Sequence, residues 1–158
     1  MIQQSVRFNL VSANLTAYMR RGLRFMDTKK ELAVCKDNIA QLNIKTSSLG
    51  KKVQYLSGGN QQKIVIAKWL NRGPKVLILD EPTRGVDVGA KYEIYHILEE
   101  QIQNGRGVFV ISSELNEIMG LCDRILVIRK GKIVKEYSHE QFQKESLLEA
   151  CMGGSEPC

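Results

Sequence analysis

The run Lys75-Val-Leu-Ile-Leu-Asp80, closed by a second acid and a proline at Glu81 and Pro82, constrains the fold of this chain more than any other stretch. A short apolar run bounded by turn residues reads as a buried strand. Gly73-Pro74 ends whatever precedes it. Downstream, Asp87 is placed to cap a helix whose inner face would carry Ile94, Ile97, Leu98 and Ile102, with Gly105 as its stop. Val108 to Ile111 then reads as a second strand. Strand, helix and strand in that order form a crossover unit, which makes the two strands parallel members of one sheet. Ligands of such sheets collect at the carboxyl ends of the strands. Asp80 and Glu81 stand at one such end, and Ser112, Ser113 and Glu114 at the other.

Elsewhere the patterning is coarser. Residues 1–52 show no strand alternation and no proline, and their apolar positions, such as Leu10, Leu32, Ile39 and Leu42, recur at helical intervals. A mostly helical subdomain is expected there, with its boundary near Ser47 to Lys52. A second helix is expected from the Ser57-Gly58-Gly59 turn to about Asn71. The runs Ile125–Arg129 and Ile133–Tyr137 flank Lys130-Gly131-Lys132 and predict a hairpin. A last amphipathic helix is expected over His139–Cys151, followed by a fraying tail at 152–158. The organisation expected is therefore α/β: a helical subdomain over 1–52, a parallel-sheet core with a hairpin and helix over 53–151, and the tail.

Charge and cysteine usage exclude several classes. The longest apolar runs fall far short of the ~20 residues that cross a bilayer, and MIQQSVRFNL has neither the charged start nor the apolar centre of a secretory signal. Cys35, Cys122, Cys151 and Cys158 form no C-x-x-C pair and no zinc-like spacing, so reduced thiols are expected, with Cys122 in the core and Cys158 exposed. Of the net charge of +6, residues 1–52 carry ten Lys/Arg against three Asp/Glu. Arg20, Arg21, Arg24, Lys29 and Lys30 lack interleaved aromatics, so this reads as a solvated helical face and not a nucleic-acid surface.

Three segments in fixed order carry the chemistry: LSGGNQQ at 56–62, VLILDEP at 76–82 and GVD at 85–87. The first is a helix start with little side-chain bulk, whose amides, Ser57 hydroxyl and positive dipole end suit a phosphate. In the second, adjacent acids at a strand end diverge and can hold separate tasks. Twenty-three positions separate Ser57 from Asp80, room for one helix and a turn. Together these segments resemble the ABC-type nucleotide-binding cassette, a P-loop NTPase. The resemblance implies that Ser57, Gly58, Gly59 and Gln61 face the γ-phosphate of ATP held by a partner cassette. It also implies that Asp80 orients Mg2+ through water, that Glu81 polarises the attacking water, and that Asp87 lies in a turn at the cassette dimer interface. As a helix N-cap Asp87 has an equally good structural role.

Finer wording narrows the resemblance. GNQQK, EPTRGVDVGAK and ISSEL are similar to the second cassette of the two-cassette ATPase subunits of bacterial ribose, xylose and galactose-type sugar importers. The start, Ser5-Val6-Arg7-Phe8-Asn9-Leu10, is similar to the opening of their helical subdomain. That implies membrane permease subunits as partners, no nucleic acid, and a cytoplasmic position on the inner face of the membrane. Two departures stand out. The Gly-x-x-x-x-Gly-Lys-Ser/Thr loop that cradles phosphates is not found, since Gly50-Lys51-Lys52 lacks the leading glycine and the hydroxyl. The sequence thus reads as the carboxyl-terminal part of a cassette, expected to be inactive alone. The switch position one strand beyond the acids, usually histidine, is Ser113, which donates a hydrogen bond but does not titrate near neutrality. His96 and His139 are expected at the surface, and Trp69 packed between helix and sheet. Alternatives left open are a non-catalytic interaction module, an autoinducer-2 importer subunit, and a DNA-repair or chromosome ATPase of the same superfamily.

Overall fold

The computed structural model describes residues 1–19 and 26–153. Arg20, Arg21, Arg24, Cys158 and the glycine-rich end of the expected tail lie outside those residues. The chain divides into two compact units, one made of 1–78 and 82–109, the other of 79–81 and 110–158.

Among the described residues the first unit holds four α-helices. Ser5 caps α1 (Val6–Val11) by accepting from Phe8 N at 3.2 Å, and Asp27 caps α2 (Thr28–Gln41) by accepting from Lys30 N at 3.2 Å. A 3-10 turn, Leu15–Tyr18, lies between them. Arg7 grips Glu31 through two bonds of 2.7 and 2.6 Å, which ties α1 to α2 and satisfies a carboxylate that is otherwise buried. Residues 49–52 are not helical and lead into a 3-10 turn at Val53–Tyr55; they run back along the chain start, with Val6 N donating to Lys51 O, Arg7 N to Leu49 O and Val53 N to Gln4 O. The expectation of a mostly helical first 52 residues is corrected to that extent, because backbone groups left over at the start of α1 find their partners in this returning strand-like segment.

Helix α3 (Gly58–Leu70) runs as expected and stops ahead of Gly73-Pro74. It packs on α1 and on α4 (Val88–Gln103), whose N-cap is Asp87. Ile94, Ile97 and Leu98 of α4 are buried, but Ile102 is 43% exposed and Gln101 takes the inner position. Trp69 is also corrected: it stands 48% exposed beneath the Lys68 ammonium, 4.8 Å from its ring centre.

Strand β1 (Val76–Asp80) pairs with β2 (Gly107–Ile111). Gly107 N donates to Lys75 O at one end and Glu81 N to Ile111 O at the other, so the strands run parallel, as the crossover requires. The strand is not buried on both faces. Leu77 is covered, whereas Val76 and Ile78, on the opposite face by the period of two, are exposed, Ile78 by 70%.

In the second unit, α5 (Leu115–Leu121) leads into β3 (Arg124–Arg129) and β4 (Lys132–Ser138), an antiparallel hairpin in register from Arg124 opposite Ser138 to Arg129 opposite Lys132, with an irregularity at Val127/Ile128. Ile125, Val127, Tyr137 and Leu147 form its core, with Cys122 half-buried against it instead of inside it. The final helix is shorter than expected: a 3-10 turn at His139–Gln141 precedes α6 (Lys144–Met152), because Ser138 and Gln141 close a capping box of their own. Gly153 ends α6 in the left-handed region at φ +81°.

Burial also sorts the thiols. Cys35, wholly buried on α2, has its pKa pushed up to about 11, mainly by burial and then by the nearby Glu31 carboxylate. Cys151 is exposed. At pH 8 iodoacetamide should modify Cys151 in the native protein and reach Cys35 only on addition of denaturant. Peptide mapping at early times checks this, and equal labelling of both would contradict the burial of α2.

Candidate functional site

The sequence-derived site residues fall into two clusters, each inside one unit. The first is the start of α3. Ser57, in extended conformation at φ −61° and ψ 155°, is its N-cap, yet its hydroxyl does not cap the helix. It accepts instead from Asn60 Nδ2 at 2.8 Å, while Asn60 Oδ1 accepts from Lys45 N at 2.6 Å. Gln61 turns back and donates to Leu56 O at 2.9 Å. The first-turn amides of α3 are therefore left without a side-chain acceptor, and the positive dipole end is open to an anion.

Glycine at 58 and 59 answers to packing. A Cβ on Gly59 would sit 2.4 Å from the Ala90 Cβ and 3.5 Å from Val86 Cγ1; one on Gly58 would sit 3.1 Å from Gly85 O. The start of α3 thus lies directly on the turn 85–87 and the first turn of α4. Gly85 is in the left-handed region at φ +71°, which favours glycine there. Asp87 accepts from Ala90 N at 3.0 Å, so its role as a helix cap is realised, and it stands next to the phosphate-suited turn.

Two residues that sequence reasoning passed over complete this cluster. Asn60 positions Ser57. Lys63 is only 2% exposed, with its ammonium 2.5 Å from Glu93 Oε2 on α4 and 3.0 Å from Asn43 O. The pair holds the Glu93 carboxyl below its ordinary value of 4.5, chiefly through the Lys63 hydrogen bond against an opposing desolvation. The helical period carried the signal: Lys63 lies four residues after Gly59 and four before Ala67, on the buried stripe of α3.

The second cluster joins the ends of β1 and β2. Asp80 closes β1 and is exposed. Glu81 has φ +48°, a left-handed backbone uncommon for a residue with a side chain and shared among the described residues with Asn43 and Lys130. Its Oε1 accepts from Ser113 N at 2.9 Å. Ser113 therefore meets Glu81 through its backbone amide, not the hydroxyl that sequence reasoning singled out. Ser112 Oγ donates to Glu117 at 2.5 Å and accepts from Glu114 N at 3.0 Å, fixing the turn that presents this amide. His96, paired with Glu99 at 3.2 Å, and His139 are exposed and remote from both strand ends in sequence. Among the described residues no three His, Cys, Asp or Glu groups gather to hold a metal, and no helix is long and apolar enough to cross a membrane.

A glycine-led helix start followed by a parallel strand pair with two acids at its end is the arrangement expected of an ATP-binding cassette. Solved structures bear this out at the level of fold. A nucleotide-free ATP-binding cassette from an ABC transporter superposes with a TM-score of 0.76 at 19% identity, covering 93% of this chain and 60% of that one. The dimeric post-hydrolysis cassette MJ0796, bound to ADP and Pi, gives 0.72 at 21% identity over 90% of this chain and 60% of that one. The ABC transporter family matches residues 1–84, and the chain belongs to it. It is 46% identical over 154 residues to the ribose import ATP-binding protein of Bacillus subtilis, 98% of this chain but 31% of that protein. It is 47% identical over 129 residues to the xylose import ATP-binding protein of Geobacillus kaustophilus, 82% of this chain and 26% of that protein. The chain thus spans between about a quarter and a third of the length of these relatives.

Proposed function

We propose that these residues act in an ATP-hydrolysing subunit that energises sugar import through a membrane permease. The observation that carries this reading is the pairing of an uncapped, glycine-led amide end at Ser57–Gly59 with a left-handed Glu81 at the end of a parallel strand. The first has the chemistry of a phosphate receptor and the second that of a water-positioning carboxylate. The importer names of the relatives supply the transported class.

In this reading Glu81 polarises the attacking water at one nucleotide, and the Ser113 amide holds its carboxylate in place until that water arrives. Asp80 would hold Mg2+ through water. One carboxylate suffices there, because magnesium takes most of its ligands from phosphate and water. Ser57 and the amides of Gly58 and Gly59 receive the γ-phosphate of ATP held by a partner cassette, with Gln61 and Asn60 fixing the turn. Asp87 joins the start of α4 to this turn and would carry contact across the cassette pair. Residues 1–52, basic and largely helical, would face the permease on the inner side of the membrane, with 53–151 as the core part.

No Gly-x-x-x-x-Gly-Lys-Ser/Thr pattern occurs within the 158 residues, so the phosphate-cradling amides and lysine would come from other polypeptide. Titration of this chain with MgATP should accordingly give neither tight binding nor turnover. Micromolar affinity together with ADP release would overturn the composite-site reading.

A further inference from the structure

Glu81 is held by a backbone amide, and such an amide is aimed only as well as its turn is fixed. The turn is Ser112-Ser113-Glu114, which lies between β2 and α5 and belongs to neither. The β2 ladder ends at Ile111, whose carbonyl accepts from Glu81 N. Glu114 is the N-cap residue of α5 but makes no side-chain cap bond. The Ser113 amide would therefore be loosely directed unless another group closed the turn.

Ser112 closes it. Its Oγ accepts from Glu114 N at 3.0 Å, a bond that straddles the Ser113 amide. A hydroxyl has one proton and two lone pairs, and it rotates freely unless that proton is taken. Glu117 takes it at 2.5 Å, from the first turn of α5, where its side chain is buried at 7% exposure. Glu117 N donates to Glu114 O at 3.0 Å, so the carboxylate is anchored to the same turn it stabilises. With the proton directed to Glu117, the Ser112 lone pair stays on Glu114 N, and the Ser113 N–H meets Glu81 Oε1 at 2.9 Å. These residues all belong to one unit of the chain. An apolar residue at 117 would avoid the cost of burying a carboxylate but could not orient the hydroxyl.

We propose that Glu117 is a positioning residue for hydrolysis. Acting through Ser112, it fixes the Ser113 amide on Glu81 and so aims the carboxylate that polarises the attacking water. This rests on the reading of Glu81 given above. Glu117 itself contacts neither nucleotide nor water; its effect passes through the Ser112 hydroxyl and the turn.

Two readouts test this. In the 158-residue chain without nucleotide, hydrogen exchange at the Ser113 amide is followed by NMR; Ser113 is exposed, so its protection reports the bond to Glu81. Glu117→Ala and Ser112→Ala should each speed exchange about tenfold, the effect of losing one hydrogen bond to a charged group. The signals of Ile125 and Tyr137 in the hairpin core should stay in place, which separates misdirection from unfolding. The double variant should exchange no faster than the single variants, because both remove one link. Glu117→Gln, whose amide oxygen still accepts from Ser112, should stay near the native rate. The second readout is single-turnover ADP formation after residues 1–158 replace the matching stretch of the Bacillus subtilis ribose import ATP-binding protein. There Glu117→Ala should slow the phase that depends on Glu81 about tenfold with ATP affinity unchanged, and Glu117→Gln should restore most of the rate. Native exchange at Ser113 in both alanine variants, or native hydrolysis in Glu117→Ala where Glu81→Gln lowers the amplitude, would overturn the proposal. An amplitude untouched by Glu81→Gln would overturn the reading on which it rests.

Discussion

Gly59→Ala should destabilise the protein by about 1–3 kcal/mol, the usual cost of forcing a methyl into a filled interior. On backbone grounds alone the substitution would stabilise α3, because alanine is favoured over glycine within a helix by roughly 1 kcal/mol. Sterics reverse the sign: the new Cβ would lie 2.4 Å from the Ala90 Cβ, far inside the ~3.5 Å at which carbon atoms attract. Gly58→Ala meets only Gly85 O at 3.1 Å and should be tolerated far better. Adding Ala90→Gly to Gly59→Ala should restore most of the loss. Urea denaturation of the two single variants and the double variant checks this ordering; equal effects at 58 and 59 would mean that α3 does not start against α4. Because the same contact aims the first amides of α3, Gly59 sets both the stability and the direction of the proposed phosphate receptor.

The second large effect is expected at the buried lysine. Glu93→Gln takes the counter-charge from the Lys63 ammonium and leaves it neutral acceptors, the Asn43 carbonyl and the new amide oxygen. Breaking a fully buried pair costs about 3–5 kcal/mol, and since the Glu93 side chain is 41% exposed the expected cost is nearer 1–2 kcal/mol. Lys63→Met, which removes the charge and keeps the stem, should cost less than Glu93→Gln, because the carboxylate it releases reaches water while the ammonium does not. The pH dependence follows from the depressed Glu93 carboxyl. Its contribution is complete above the ordinary glutamate value of 4.5 and is lost as pH falls below that value through the lower folded one. Stability measured from pH 6 down to pH 3 should therefore fall more steeply for the native protein than for Glu93→Gln. Parallel curves would show that the pair adds nothing.

Much of this architecture was legible in the sequence, and the reasons differ by element. Helix α3 and strand β1 announced themselves because caps, stops and an apolar run coincide within a few residues. Asp87 was legible as a cap because the side chain acts on its own neighbours. What the sequence did not expose was contact between elements. The closeness of Gly59 to Ala90 depends on how two helices cross. Ile102 and Gln101 exchanged roles because neighbouring positions straddle the edge of the buried stripe of α4, and a periodicity count does not resolve that edge. The exposure of Ile78 follows from how the sheet is covered, which no local pattern encodes. At the candidate site, the residue types were readable, but the left-handed Glu81 and its bond to the Ser113 amide arise only when the two strand ends meet.

The central claim is that Glu81 polarises the water that attacks one of two nucleotides. Its most direct test replaces the matching stretch of the Bacillus subtilis ribose import ATP-binding protein with residues 1–158 and follows single-turnover ADP formation from that chimera. With Glu81→Gln the amplitude should fall by about half while ATP binding stays unchanged. An unchanged amplitude in the Glu81→Gln chimera would contradict the account.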